Sequence, residues 1–325
     1  MRGISVAAMR KRIAAFLILL SAVSFVAHAQ ELTRDANRKQ LMDIVYGTAA
    51  GVDMKMDIAM PAGEGPFPAV LYVHGGGWKG GDKSDGAMFA TVLAAGGYVA
   101  ASANYRMIPE HKWPAQLEDI KCAIRYLRAH ARELKIDPNT IGLVGHSAGG
   151  HVALMAALVD ASEGFEGSGG NADQSSRVQA VVDMSGPTDL RTWKYRPEIA
   201  KLFVKEFGGD GDQLLAWLLG TSDRTAVVMA DASPVTHANA GDPPVLILHG
   251  DMDPVVPIEQ ARVLADALQK AGVEYKLVIL DGDHGLSGEA GMKAALEIQA
   301  FFAMHLKGGV GGPSASAAAP SEGPD

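Results

Sequence analysis

Residues 145–150 read Gly-His-Ser-Ala-Gly-Gly, and this stretch constrains the fold more tightly than any other. The β-branched and apolar run Thr140-Ile141-Gly142-Leu143-Val144 leads into it, and the Ala- and Leu-rich run Val152–Leu158 leads out. A strand, a G-x-S-x-G turn and a helix in succession put Ser147 on a sharp turn at the end of a strand. Side chains flanking so tight a turn would collide with backbone. Glycine at 145 and 149, with the small Ala148 and Gly150, removes those collisions. Ser147 is therefore a candidate nucleophile. The competing reading of so short a pattern is a turn that merely contains a serine, and the rest of the chain decides between them.

Both ends of the chain read as something other than core. Arg2, Arg10, Lys11 and Arg12 form a basic region, Ile13–Ala27 an apolar one, and Ala27-His28-Ala29 an A-x-A site, so residues 1–29 are expected to be a signal peptide cleaved after Ala29. The apolar part is shorter than the roughly 20 residues a bilayer span needs. The expectation is a secreted or periplasmic protein with no membrane association after cleavage. Losing residues 1–29 removes those four cations and no acid, taking the formal charge from −8 to −12. Such an acidic chain argues against nucleic acid as a partner. Cys122 is the single cysteine, which excludes an intrachain disulfide, and it falls in a helical pattern as a small core residue. Residues 308–325 are Gly, Ser, Ala and Pro with few large apolar side chains and are expected to be a disordered tail. Residues 30–307 remain for one domain.

Within that domain, strands alternate with helices. Strand patterns occupy Asp43–Tyr46, Val52–Ile58, Ala69–Val73, Tyr98–Asn104, Thr140–Val144, Val178–Met184, Val245–His249 and Tyr275–Leu280. Helical patterns end at Gly96-Gly97, run from Pro114 to about Leu134, follow Ser147, and cover about Ile258–Ala271 and Ala290–Leu306. Asp137-Pro138-Asn139 reads as a turn. This alternation predicts an α/β fold with a mostly parallel central sheet and helices on both faces. Residues 187–232 interrupt it with two helical patterns, Ile199/Leu202/Phe203/Phe207 and Leu214/Leu215/Trp217/Leu218, plus Trp193 and Tyr195. An insertion after a strand lands over the carboxyl ends of the sheet, so this segment is expected to be a small helical cap over the substrate. A surface elaboration is the alternative.

A serine nucleophile needs a base, an acid to orient the base, and donors for an oxyanion. His74-Gly75-Gly76-Gly77-Trp78 follows a buried strand and can turn backbone N–H groups toward a ligand. No G-K-[ST] follows, so it is not a phosphate loop. The N–H of Ala148 follows the serine at a helix N-terminus. Of ten histidines, His284 in Asp281-Gly282-Asp283-His284-Gly285 is the one on a short, glycine-flanked loop after the last strand, where a proton shuttle belongs. His151, one turn into the helix after the serine, lacks that freedom. In His249-Gly250-Asp251-Met252-Asp253-Pro254 both Asp251 and Asp253 suit the acid on spacing, and physics alone does not separate them. H-E-x-x-H is absent and the two aspartates lack an EF-hand's other ligands, so neither a metal nor any other cofactor is expected.

These motifs resemble the esterase and lipase group of α/β-hydrolases related to hormone-sensitive lipase, and especially its feruloyl and acetyl-xylan esterase-like branch. The likeness is carried by His74–Trp78 with Gly81-Asp82-Lys83, by Asn104-Tyr105-Arg106 with Trp113-Pro114-Ala115 and Asp119, by Gly145–Gly150, by His249–Pro257 and by Asp283-His284-Gly285, over residues 41–306. It implies the α/β-hydrolase fold, a Ser147–His284–Asp253 triad that favours Asp253 over Asp251, and Gly76 and Gly77 as oxyanion donors beside Ala148. Trp78, His146 and Trp193 are candidate substrate contacts. Two departures, His146 where the group often has Asp or Gly and Trp78 where it has Phe, leave the subfamily open. The implied activity is hydrolysis of a short-chain or aryl ester, free or linked to polysaccharide. An arylformamidase shares the machinery and is the alternative enzyme. A hydrolase-fold binding protein that has lost its chemistry is the alternative of another class, although such proteins typically lack one member of the triad and this chain has all three.

Overall fold

The computed structural model of the protein describes residues 39–308. The leader expected over residues 1–29 and, apart from its first residue, the tail expected over 308–325 lie outside them. The sheet has eight strands: β1 (Gln40–Ala49), β2 (Val52–Ala59), β3 (Phe67–Val73), β4 (Val99–Ala103), β5 (Ile136–His146), β6 (Ala180–Met184), β7 (Val245–Gly250) and β8 (Tyr275–Leu280). Their spatial order is β1-β2-β4-β3-β5-β6-β7-β8. The β1–β2 and β2–β4 pairs are antiparallel, and every pair from β4 to β8 is parallel.

The central strands are apolar on both sides, and alternate side chains feed two cores. Val70, Val144, Val182 and Leu246 pack against α1 (Ala87–Ala95) and the C-terminal helix, Gly288–Leu306, through Leu93, Ile298 and Phe302. Leu71, Leu143, Val181 and Ile247 face the larger core, with α2 (Ala115–Ala129), α3 (Ala148–Leu158) and, beyond the insertion, the helix Glu259–Ala271. Cys122 is buried in this second core, and burial pushes its thiol upward, as suits a packing residue.

Two boundaries differ from the sequence reading. The helix after Pro114 ends at Ala129 rather than Leu134, because the chain turns at His130 and Lys135 takes a φ of +56°. Asp137-Pro138-Asn139 lies inside β5 rather than before it. Ile136 already pairs with Phe67, and a register shift absorbs the local turn in which Asp137 accepts from the N–H of Asn139. The insertion carries α4 (Ala200–Phe207), α5 (Gly211–Leu219) and the short α6 (Val227–Asp231). The helix Glu259–Ala271 is then α7, and Gly288–Leu306 is α8.

Candidate active site

Ser147 stands between β5 and α3 at φ 56° and ψ −123°, a backbone that a residue with a β-carbon holds only under constraint. The constraint comes from both sides. The Ser147 N–H donates to the Met184 carbonyl of β6 at 2.8 Å, and its carbonyl accepts from His151 at 3.0 Å, opening α3. A β-carbon at Gly145 would lie 2.1 Å from the Gly149 carbonyl oxygen, and one at Gly149 would lie 2.1 Å from that of Val73. Backbone cannot step aside as a flexible side chain can. Gly149→Ala is expected to destabilise the protein by about 3 kcal/mol or more, as a buried overpacking substitution. Chemical denaturation checks this, and a variant as stable as the parent would refute it.

The three side chains that sequence reasoning selected converge on this turn. His284 Nε2 lies 2.8 Å from Ser147 Oγ, and His284 Nδ1 lies 2.7 Å from Asp253 Oδ2. The Asp253 side chain is fully buried, and its second oxygen accepts from the N–H groups of Val255 and Val256 at 2.8 and 2.9 Å. Those two bonds separate it from Asp251. Asp251 is exposed and accepts instead from the Gly282 N–H at 3.2 Å, bracing the loop that carries the histidine. His249 Nε2 donates to the Val256 carbonyl at 2.7 Å and lies 3.5 Å from Asp253. Its burial holds its pKa below the usual value.

The glycine loop after β3 borders the same space. Gly76 and Gly77 have φ of +107° and +58°, and the Gly76 carbonyl closes a tight turn by accepting from Lys79 and Gly80 at 3.1 and 2.8 Å. Among the described residues, no acceptor takes the N–H groups of Gly76, Gly77 or Ala148. The blocks after β4 brace this loop. The Tyr105 hydroxyl donates to the His74 carbonyl at 3.1 Å with the rings stacked, and Arg106 is clamped by buried Asp119 at 2.7 Å.

The cavity in front of Ser147 measures about 240 Å3. Its walls are mostly apolar and come from the loop after β6, the insertion and the loop after β7: Trp193, Phe203, Phe207, Leu214, Val255 and Val256. Glu206 adds a carboxylate. The expected cap therefore contributes side chains to the cavity in front of the serine.

The three residues named as substrate contacts all line this cavity, yet one ring nitrogen of each is engaged by protein. His146 Nε2 donates to the His284 carbonyl at 2.8 Å, and burial followed by the nearby His284 holds its pKa down. Trp193 Nε1 donates to the Val255 carbonyl at 3.0 Å, and Trp78 Nε1 to His151 at 3.2 Å. Sequence reasoning passed over His151, Lys79 and Asp183. Lys79 ties the glycine loop to the insertion, donating to the Phe207 carbonyl at 2.6 Å with its ammonium 4.1 Å from the centre of the Trp217 ring. Asp183 lies at the end of β6 beneath the serine turn, its carboxyl pushed up to about 7 by burial, with the Gly186 N–H at 3.0 Å. Among the described residues no group of three or more His, Cys, Asp or Glu is arranged to hold a metal ion, and no helix is long and apolar enough to cross a membrane.

Comparison with known proteins agrees with this architecture. The BD-FAE family model matches residues 56–268. The probable carboxylic ester hydrolase LipM of Mycobacterium tuberculosis is 34% identical over 230 residues, covering 69% of this chain and 50% of LipM. The chain thus spans about half the length of the curated relatives it matches. Among solved structures, a truncated carbohydrate esterase from gut microbiota superposes with a TM-score of 0.71 at 25% identity, covering 84% of this chain and 98% of that one. A butyrate-bound esterase of Thermogutta terrifontis gives 0.63 at 28% identity, covering 83% and 94%. With the matched segment running from β2 to α7 and enclosing Ser147 and Asp253, the chain belongs to the BD-FAE family of hormone-sensitive-lipase-like α/β-hydrolases.

Proposed function

We propose that this protein is a serine carboxylesterase acting on short-chain or aryl esters, with Ser147, His284 and Asp253 as its triad. One observation carries the reading: a single imidazole lies within hydrogen-bond reach of a strained serine hydroxyl on one side and a buried carboxylate on the other. The Ser147 hydroxyl attacks the acyl carbon while its proton passes to His284 Nε2. Asp253 keeps the proton of the resting imidazole on Nδ1 and stabilises the imidazolium that forms. The carbonyl oxygen becomes an oxyanion held by the N–H groups of Gly76, Gly77 and Ala148, with the N-terminus of α3 adding its positive end. As the tetrahedral species collapses, His284 returns the proton to the departing alcohol oxygen and leaves an acyl-serine. Water, deprotonated by the same nitrogen, then attacks the acyl carbon, releases the carboxylic acid and restores the serine.

The apolar cavity supports an uncharged acyl or aryl group. The relatives named as esterases, the carbohydrate esterase and the butyrate-bound structure support an ester as substrate. Export, expected from residues 1–29, suits an environmental ester such as acetyl or feruloyl groups on polysaccharide. The test is a panel of p-nitrophenyl acetate, p-nitrophenyl butyrate, methyl ferulate, acetylated xylan and N-formylkynurenine, followed by a p-nitrophenyl phosphonate and peptide mass spectrometry. Turnover of the short esters and a phosphonyl adduct on the peptide containing Ser147 are expected. Exclusive turnover of the N-formyl compound would replace the esterase by an amidase. No turnover and no adduct would leave a binding protein.

A further inference from the structure

The indole of Trp78 and the imidazole of His151 form a buried polar contact that the triad chemistry does not use. Trp78 follows directly on Gly77 and, like it, has a φ of +58°, a backbone that residues with a β-carbon avoid. Three glycines precede it, so Trp78 is the first side chain after His74 able to anchor the loop against the rest of the protein. The anchor is specific. Trp78 Nε1 donates to His151 Nδ1 at 3.2 Å, and His151 Nε2 lies 2.7 Å from the Ala232 carbonyl. A carbonyl only accepts, so Nε2 carries the imidazole proton and Nδ1 presents its lone pair to the indole. Trp78 is 1% exposed and His151 0%. Burial pushes His151 down to about 4, so it stays neutral, as an acceptor for the indole must. The two rings meet edge-on at 5.3 Å, and Trp193 closes a second edge-on contact at 6.0 Å.

The elements this contact joins are those that supply the proposed oxyanion donors. His151 lies one turn into α3, the helix that begins at Ala148, and Ala232 follows α6 at the end of the insertion. The glycine loop, the nucleophile helix and the insertion are thus linked through one imidazole. We infer that His151 is a positioning residue: by accepting the indole N–H it fixes Trp78, and through Trp78 the direction in which the Gly77 N–H points. Trp78 is accordingly an anchor of the loop rather than a substrate contact. This inference rests on the esterase reading of the site.

The test compares Trp78→Phe, which keeps an aromatic ring and deletes the donor, with His151→Leu, which deletes the acceptor, and His151→Gln, which keeps one acceptor and one donor. Each is assayed for kcat and KM on p-nitrophenyl acetate and for affinity for phenylboronic acid, which adds to the serine as a tetrahedral anion. Trp78→Phe and His151→Leu are expected to lower kcat by about tenfold to a hundredfold, at or below the loss from deleting an oxyanion donor outright. KM should stay within about twofold, because uniform substrate binding is untouched. Boronate affinity should fall in step with kcat, and His151→Gln should recover most of the loss. If His151→Leu does not fold, Trp78→Phe decides. An unchanged kcat in Trp78→Phe overturns the inference, whether KM rises, as for a substrate contact, or nothing changes. An active parent with unaffected variants overturns this inference alone. A parent inert toward every ester and toward the phosphonate overturns the esterase reading, and this inference with it.

Discussion

Ser147→Ala should lower p-nitrophenyl ester turnover by roughly 10⁶, the loss typical of removing a triad nucleophile. The fold should survive. The hydroxyl's one protein partner among the described residues is His284 Nε2, so deletion costs one hydrogen bond, about 1 kcal/mol, and about 2–4 °C in melting temperature. Alanine accepts the φ of +56° no less readily than serine, because it keeps the β-carbon already present at this turn and removes the one heavy atom attached to it. Residual catalysis of about 10³ over water should remain from the unaltered proposed oxyanion donors. The measurement is steady-state turnover beside a thermal melt and the phosphonate reaction. A folded variant retaining a tenth of the parent activity would exclude Ser147 as the nucleophile.

Asp253→Asn is expected to lower kcat by about 10⁴ with little change in stability, and the hydrogen bonds around the carboxylate explain why. One oxygen accepts from the N–H groups of Val255 and Val256, and an asparagine will place its carbonyl there. Its amide then faces His284 Nδ1 across the 2.7 Å that the second oxygen spans. An N–H on that side obliges Nδ1 to accept, so the imidazole proton moves to Nε2, the nitrogen that in the proposed mechanism takes the serine proton. The base is present and correctly placed but carries its proton on the wrong atom. Combining Asp253→Asn with His284→Ala should cost no more than His284→Ala alone, because the carboxylate works only through the imidazole. Additive losses in that double variant would show that Asp253 acts elsewhere. Asp251→Asn, on the exposed neighbour, is the control and should leave turnover within about twofold, since an asparagine oxygen can still accept from the Gly282 N–H.

Much of this was legible before any coordinates. The strand, glycine turn and helix around Ser147 announce themselves because steric exclusion leaves so few residue types able to occupy 145 and 149. His284 was recoverable from its loop after the last strand. Asp253 was not separable from Asp251 by spacing, because the difference lies in two N–H groups that the loop folds back onto one of them. The start of β5 escapes the sequence reading for a related reason. Asp137-Pro138-Asn139 has turn chemistry, and it does turn, but Ile136 is captured by Phe67 beyond the bulge. His151 is not selected from sequence because, one turn into a helix, it lacks the loop position that marks His284. Its distinguishing partner is an indole 73 residues away, and no local pattern carries that information.

The bond from His146 to the His284 carbonyl gives two successive residues a hold on the same histidine, one on its backbone and one on its ring. A histidine held at both points, backbone and ring, has little room to swing out toward solvent. On the proposed reading the groups are already assembled when a substrate arrives, and the energy of recognising it need not be diverted to gathering them.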